Sequence, residues 1–198
     1  MSFSTDNRAR LQTRSEYTTP YGGESPAKPL QATRGIVFPY TPNINVSHQV
    51  EYSTYELVHA NYQQQAYSKT RNPQIQISAH FINQTPEETA YTVGVIHFLR
   101  VVTKMDWGAL DEAPGTPPPV LDFSAYGRTN FENVPVVVQG FTVNYEDNVD
   151  YVEGPDGQNL PAMMTIAIDL LPTYSPSKQT QFNLRSFANG SLYAGGFI

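Results

Sequence analysis

The chain has no cysteine, which removes disulfides, thiolate nucleophiles and thiolate zinc sites together. Long apolar runs are missing too. The most apolar stretch, VGVIHFLRVV, is broken by His97 and Arg100, and the opening MSFSTDNRARLQTRSEY lacks the apolar segment of a secretory signal. The expectation is a soluble protein made in a cytoplasm, with no membrane partner. Basic residues are scarce, 12 against 18 acidic ones, for a net charge of −6. The shortage is uneven. Residues 1–34 carry Arg8, Arg10, Arg14, Lys28 and Arg34 against Asp6, Glu16 and Glu24, a net +2; the remaining seven basic and fifteen acidic residues leave a body at −8. Wrapping nucleic acid by phosphate neutralisation needs clustered Lys and Arg, so this body repels DNA.

Reaction fingerprints are also missing. There is no GxxxxGK[ST] or GxGxxG loop, and Gly190-Ser191-Leu192 runs into Tyr193, so no nucleophile elbow forms. His48, His59, His80 and His97 are scattered with no His-x-x-x-His pair, which argues against a metal site or a cofactor. Asn83-Gln84-Thr85 and Asn189-Gly190-Ser191 match glycosylation sequons, a chance match where no signal peptide precedes them.

What is present suits one domain. A chain of 198 residues with 39% apolar content buries about 70% of its unfolded surface. Residues 1–35 are polar and punctuated by Pro20, Gly22, Gly23, Pro26 and Pro29. Such a composition cannot build its own core, so it reads as an extended arm lying on a partner subunit, with the domain spanning 36–198.

The body reads mainly as β. In QIQISAHF, Ile75, Ile77, Ala79 and Phe81 share one face and Gln74, Gln76, Ser78 and His80 the other. VVVQGFTVNY places Val137, Phe141, Val143 and Tyr145 together, and MMTIAIDLL does so for Met164, Ile166, Ile168 and Leu170; these two segments are expected to pair as a long hairpin. VEYSTYELVHANY reads as a further strand, although Ser53-Thr54-Tyr55-Glu56 also resembles a helix cap. One helix is expected over about Pro86 to Met105. Thr85-Pro86-Glu87-Glu88 forms a capping box, Tyr91, Val95, Phe98, Leu99 and Val102 form an apolar stripe, Lys104 suits the C-terminal dipole and Gly108 releases the chain. GTPPP is a stiff connector.

Between the two hairpin segments lies NYEDNVDYVEGPDGQN, with Glu146, Asp147, Asp150, Glu153 and Asp156 and no basic residue. A calcium loop wants oxygen ligands at alternate positions followed by glycine and a distal Glu, and this spacing fails that test. Five carboxylates alone do not define a glycosidase pair. Two readings stay open: a solvated hairpin end, or a surface of an oligomer held negative.

IVFPYTPNI (Ile36 to Ile44), HQVEYSTYELVHANY (His48 to Tyr62), HFLRVVTKMDWG (His97 to Gly108), GTPPPVLDFSAYG (Gly115 to Gly127) and the final GGFI together resemble the tail-tube-associated baseplate proteins of contractile-tailed, T4-like bacteriophages, the tube initiator and baseplate tube cap family. The resemblance runs from about Ile36 to Ile198. It implies a tail-tube-like β-sandwich or barrel flanked by a helix, six copies in a ring, and extended hairpins around a channel through which DNA passes without specific binding, with Glu146, Asp147, Asp150, Glu153 and Asp156 as candidates for its lumen. It implies a non-enzymatic virion protein that joins the baseplate hub to the tail tube and initiates tube polymerisation. Hub and tube proteins are the expected partners, with tape measure or sheath protein as further neighbours. Candidate assembly elements are Ile36, Val37, Phe38, Pro39, Tyr40, Pro42 and Ile44, and Gly195, Gly196, Phe197 and Ile198. The competing class is a cytoplasmic β-sandwich carbohydrate-binding module or hydrolase using the Tyr-rich faces and the acids.

Overall fold

Period-two alternation decides most of the architecture. The computed structural model describes residues 7–14, 19–105, 115–127, 129–154, 157 and 159–198. The strands are β1 (Arg10–Thr13), β2 (Gly35–Val37), β3 (Asn43–Ser47), β4 (Val50–Tyr55), β5 (Gln64–Thr70), β6 (Gln74–Ile82), β7 (Leu121–Ala125), β8 (Phe131–Tyr145), β9 (Tyr151–Glu153), β10 (Asn159–Pro161) and β11 (Met163–Pro172); the helices are α1 (Pro86–Val102), α2 (Pro176–Gln179) and α3 (Leu184–Ala188). Seven strands form an antiparallel sheet in the order β2-β1-β7-β8-β11-β6-β3, while β4-β5 and β9-β10 form separate two-stranded sheets.

The sheet curls. Laid flat, its outermost strands would stand about 29 Å apart at the usual spacing. The link from Val37 to Asn43 is six Cα steps long, about 22 Å when fully stretched. Curling resolves the mismatch and brings Phe38, whose N–H donates to the Ala9 carbonyl at 3.0 Å, against Phe81 of β6 with ring centroids 6.4 Å apart. The core fills this curl and α1 closes it.

The expected faces of β6 and β11 are the observed ones: Ile75, Ile77, Ala79, Phe81 and Met164, Ile166, Ile168, Leu170 are buried. The two segments around the acidic stretch do pair, from Tyr145 opposite Met164 to Val136 opposite Pro172. The expectation for Val137 is corrected. Val134, Val136 and Val138 are the buried valines of β8, with Pro135 buried between the first two, and the register then slips, Leu170 facing Val138 but Asp169 facing Gly140. Gln139 is the extra residue of a bulge that returns Phe141 and Val143 to the core side, where they are partly buried.

α1 has the expected capping box, Thr85 Oγ1 accepting from the Glu88 N–H at 3.3 Å and the Glu88 carboxylate accepting from the Thr85 N–H at 3.2 Å. It ends at Val102, a turn before the expected Met105, because the Thr103 hydroxyl donates to the Leu99 carbonyl at 2.9 Å and takes over the last turn. Gly108 lies outside the described residues. The buried face is wider than the stripe in the sequence and includes Thr89, Thr92, Gly94 and Ile96. A second cover explains the width. Residues 19–31 pack over the helix, Tyr21 stacking on Phe98 at 6.3 Å; a Cβ on Gly94 would come within 3.0 Å of the Pro26 carbonyl.

The reading of residues 1–35 as an arm is therefore corrected for its described part. β1 lies between β2 and β7 in the main sheet, and Ala9, Leu11, Tyr21, Ala27 and Leu30 belong to the core. The segment need not supply a core of its own, since each side chain fully buried in a common one contributes about 1.5–3 kcal/mol. Tyr91 of α1 ties it further: the hydroxyl donates to the Val37 carbonyl at 2.8 Å and accepts from the Val37 N–H at 2.9 Å. Burial raises the Tyr91 pKa, with the bond to Val37 opposing it.

Candidate functional site

The acidic stretch begins where β8 leaves the sheet. Glu146 is half-buried and its Oε1 accepts from Asn144 Nδ2 at 3.1 Å and from the Thr165 hydroxyl at 2.9 Å; Thr165 Oγ1 in turn lies 3.1 Å from His80 Nδ1. Asp147, Asp150 and Glu153 are exposed, and their carboxylates have no hydrogen-bond or ion-pair partner among the described residues. Asp156 lies outside the described residues. The carboxylates do not converge: β9 and β10 pair as a small cap on the turn, and no cluster of three metal-binding side chains occurs among the described residues.

Behind this turn runs an uncovered sheet face. Asn43, Asn45 and Ser47 of β3 stand opposite Ser78, Gln76 and Gln74 of β6; Asp169, Ala167 and Thr165 of β11 stand opposite Gln76, Ser78 and His80, and Thr142 and Asn144 of β8 complete it. With histidine neutral, Asp169 is the one charged side chain of these twelve. Charged residues make up 15% of the whole chain, so one in twelve is below its own average. This face is therefore polar, short-chained, close to neutral and free of cations.

A feature absent from the sequence reading projects from the same strands. VEYSTYELVHANY is not one strand but β4 and the tip of a hairpin whose second arm is β5. The ribbon continues the β3–β6 pair, the Arg71 N–H bonding the Gln49 carbonyl at 3.0 Å, and its strands extend about 20 Å at the usual rise. Almost every residue from 50 to 70 is exposed, including Val58 at 86% and Tyr62 at 87% near the tip. Tyr52 and Tyr67 meet edge to face at 6.2 Å. At the root, Glu51 pairs with Arg71 and with Lys69 at 3.2 Å; the bonds from Arg71 first and Lys69 second hold its carboxyl below the usual range. An isolated two-stranded ribbon is marginal in water. The sequence signal for it is the recurrence of Tyr52, Tyr55, Tyr62 and Tyr67 across a segment with no core-facing pattern.

The candidate assembly strings have internal work. Ile36 and Phe38 are fully buried in this chain's own core and Pro42 is buried, whereas Val37 and Ile44 are half-buried and Pro39 and Tyr40 exposed. At the C-terminus Phe197 is buried and stacks on Tyr174 at 5.2 Å, Ile198 packs against the core, and Gly195 is exposed. Gly196 has φ 73°, and a Cβ there would stand 2.4 Å from the Asn133 carbonyl, so only glycine fits. The apolar character of both strings thus has a reason within one chain, independent of any assembly contact. Asn83 of the first sequon is also internal, accepting from Thr92 Oγ1 at 2.7 Å and donating to the Pro161 carbonyl at 3.1 Å.

No protein-family model matches the sequence, and a search of curated proteins returned no match. No helix among the described residues is long and apolar enough to cross a membrane.

Proposed function

We propose that this chain is a structural protein of a contractile phage tail, forming a ring of six copies between baseplate hub and tail tube, on which the tube polymerises and through which DNA passes. The observation that carries this reading is the cation-free polar face of β3, β6, β11 and β8. A wall lining a DNA path has to wet the phosphate backbone without holding it, and a face of Asn, Gln, Ser and Thr lacking Lys and Arg does so. Six copies at −6 each give a ring of −36, which adds long-range repulsion of the same sign. The projecting ribbon supports assembly, because its exposed tyrosines and tip side chains need a partner surface that one chain does not supply. The resemblance of the ordered strings to tube initiator and tube cap proteins supports the same place in a virion, with no enzymatic step.

Electron micrographs of the purified chain, alone and with tail-tube subunits, test the proposal. Rings with an open lumen that seed tube growth are expected. Persistent monomers that bind or cleave glycans, and leave tube growth unseeded, would overturn it in favour of the carbohydrate-binding or hydrolase class.

A further inference from the structure

β3 forms one rim of the main sheet, and among the described residues no strand pairs with its outer side. Its five residues, Asn43–Ser47, include no charge and no proline, the usual guards of a strand edge. Burial marks the same gap. Ile75 and Ile77 of β6 are fully buried, at 0% and 1% exposure, whereas Val46 and Ile44 opposite them are only partly buried against the core. β6 has an apolar neighbour on either side; β3 has one on a single side.

The described chain begins close to this rim. The Asn7 carbonyl accepts from the Tyr126 N–H at 3.1 Å, and the Tyr126 hydroxyl donates to the Pro42 carbonyl at 3.1 Å, so one tyrosine links Asn7 to the residue before β3. β1 and β2 run antiparallel, with Leu11 opposite Ile36 and Arg10 opposite Val37, and the bond from the Phe38 N–H to the Ala9 carbonyl carries that pairing a step further. Extended in the same register past the bend at Pro39 and Tyr40, it sets Ser4 opposite Asn43, Phe3 opposite Ile44, Ser2 opposite Asn45 and Met1 opposite Val46.

That register suits the side chains. MSFSTD alternates, with Met1, Phe3 and Thr5 on one side and Ser2, Ser4 and Asp6 on the other. Polar residues then meet polar ones, apolar residues meet apolar ones, and Met1 and Phe3 share the side on which Ala9 and Leu11 of the same chain are buried. A slip of one residue would set Phe3 against Asn43 or Asn45. Six extended residues span about 20 Å, enough for the roughly 17 Å of β3.

We infer that residues 1–6 add to β3 of their own chain as a further antiparallel strand, with Phe3 and Met1 covering Ile44 and Val46. The segment is an edge guard. It occupies backbone groups that would otherwise accept a strand from another chain, a second copy included, so addition of a foreign strand at β3 requires its displacement. This inference does not depend on the ring reading.

The chain has no cysteine, so a pair introduced by substitution reports one contact. Ser2→Cys with Asn45→Cys is expected to close a disulfide within one chain on mild oxidation, since directly opposite Cβ atoms stand about 4.5–5.5 Å apart and a bridge needs Cα atoms within about 7 Å. Thr5→Cys with Asn45→Cys, which puts the thiols on opposite faces, is expected to stay reduced. Deleting residues 1–6 is expected to speed amide exchange across Asn43–Ser47 about tenfold and to raise self-association in light scattering, with thermal melts showing that the shortened chain is folded. A disulfide joining two chains would place the segment on a neighbour and overturn the intrachain docking. Equal yields from the two cysteine pairs, no disulfide in a folded chain, or exchange unchanged by the deletion would overturn the strand addition itself.

Discussion

Removing about a tenth of this chain should leave the monomer as stable as before, or slightly more so. The perturbation replaces Val50–Thr70, 21 residues, with an Asn-Gly turn joining Gln49 to Arg71. These two residues already face each other across the ribbon with an N–H to carbonyl bond of 3.0 Å, and a two-residue Asn-Gly turn suits the twist of an antiparallel pair. None of the deleted residues belongs to the core, so the transfer term is close to zero. Shortening the closed segment tenfold lowers its closure entropy cost by up to about 2 kcal/mol, since that cost grows as 1.5RT times the logarithm of length. The expected change in unfolding free energy is therefore about 0 to +2 kcal/mol, or roughly 0 to 6 °C in Tm for a domain of this size. Urea and thermal unfolding give the stability, and light scattering gives the assembly state, which should fall to monomer. A loss of several kcal/mol would refute the reasoning by showing that the ribbon supports the core. Retained assembly would refute the role given to its tyrosines.

Three further outcomes follow from single sites. Tyr91→Phe leaves the Val37 N–H and carbonyl without their hydroxyl partner; about 1–2 kcal/mol of stability and roughly 3–6 °C of Tm should be lost, measured by calorimetry. Gly196→Ala places a Cβ 2.4 Å from the Asn133 carbonyl, and should release the C-terminal segment, seen as faster amide exchange at Phe197 and Ile198. The Glu51 pKa is depressed in the fold, so its contribution to the ribbon is present above the ordinary carboxylate value of about 4.3 and lost as pH falls through the lower folded value. Ring proton shifts of Tyr52 and Tyr67 should report that loss on acidification, and Glu51→Gln should abolish the pH response.

The elements written most plainly in the sequence are those with one period and one buried face. Ile75, Ile77, Ala79 and Phe81, and Met164 through Leu170, alternate without interruption, and Thr85 with Glu88 marks the start of α1 whatever surrounds it. β8 defeated the same reasoning because its buried valines and its later Phe141 and Val143 are out of phase until a bulge at Gln139 joins them. The segment 1–35 misled for another reason. Its few apolar side chains, Leu11 and Leu30 among them, are too sparse to signal a core, yet a core built elsewhere needs only a few to be completed. For the site, the acids were visible as a run, but the ribbon was not, because β4 and β5 are exposed on both faces and carry no core-facing period to mark them.

The contact between Tyr91 and Val37 has a consequence for how copies can join. A sheet that does not close has two rims, each a row of backbone donors and acceptors ready to extend it. On the β2 rim three of those groups are already spent: Tyr91 satisfies both polar atoms of Val37, and the Thr33 hydroxyl donates to the Gly35 carbonyl at 2.6 Å. The β3 rim has no such plug among the described hydrogen bonds of its residues. The seven-stranded sheet is thus more open to strand pairing at its β3 rim than at its β2 rim. Two copies that mate through β3 leave their plugged β2 rims outermost, so a longer assembly of these sheets draws on side chains and the ribbon rather than on further pairing at β2.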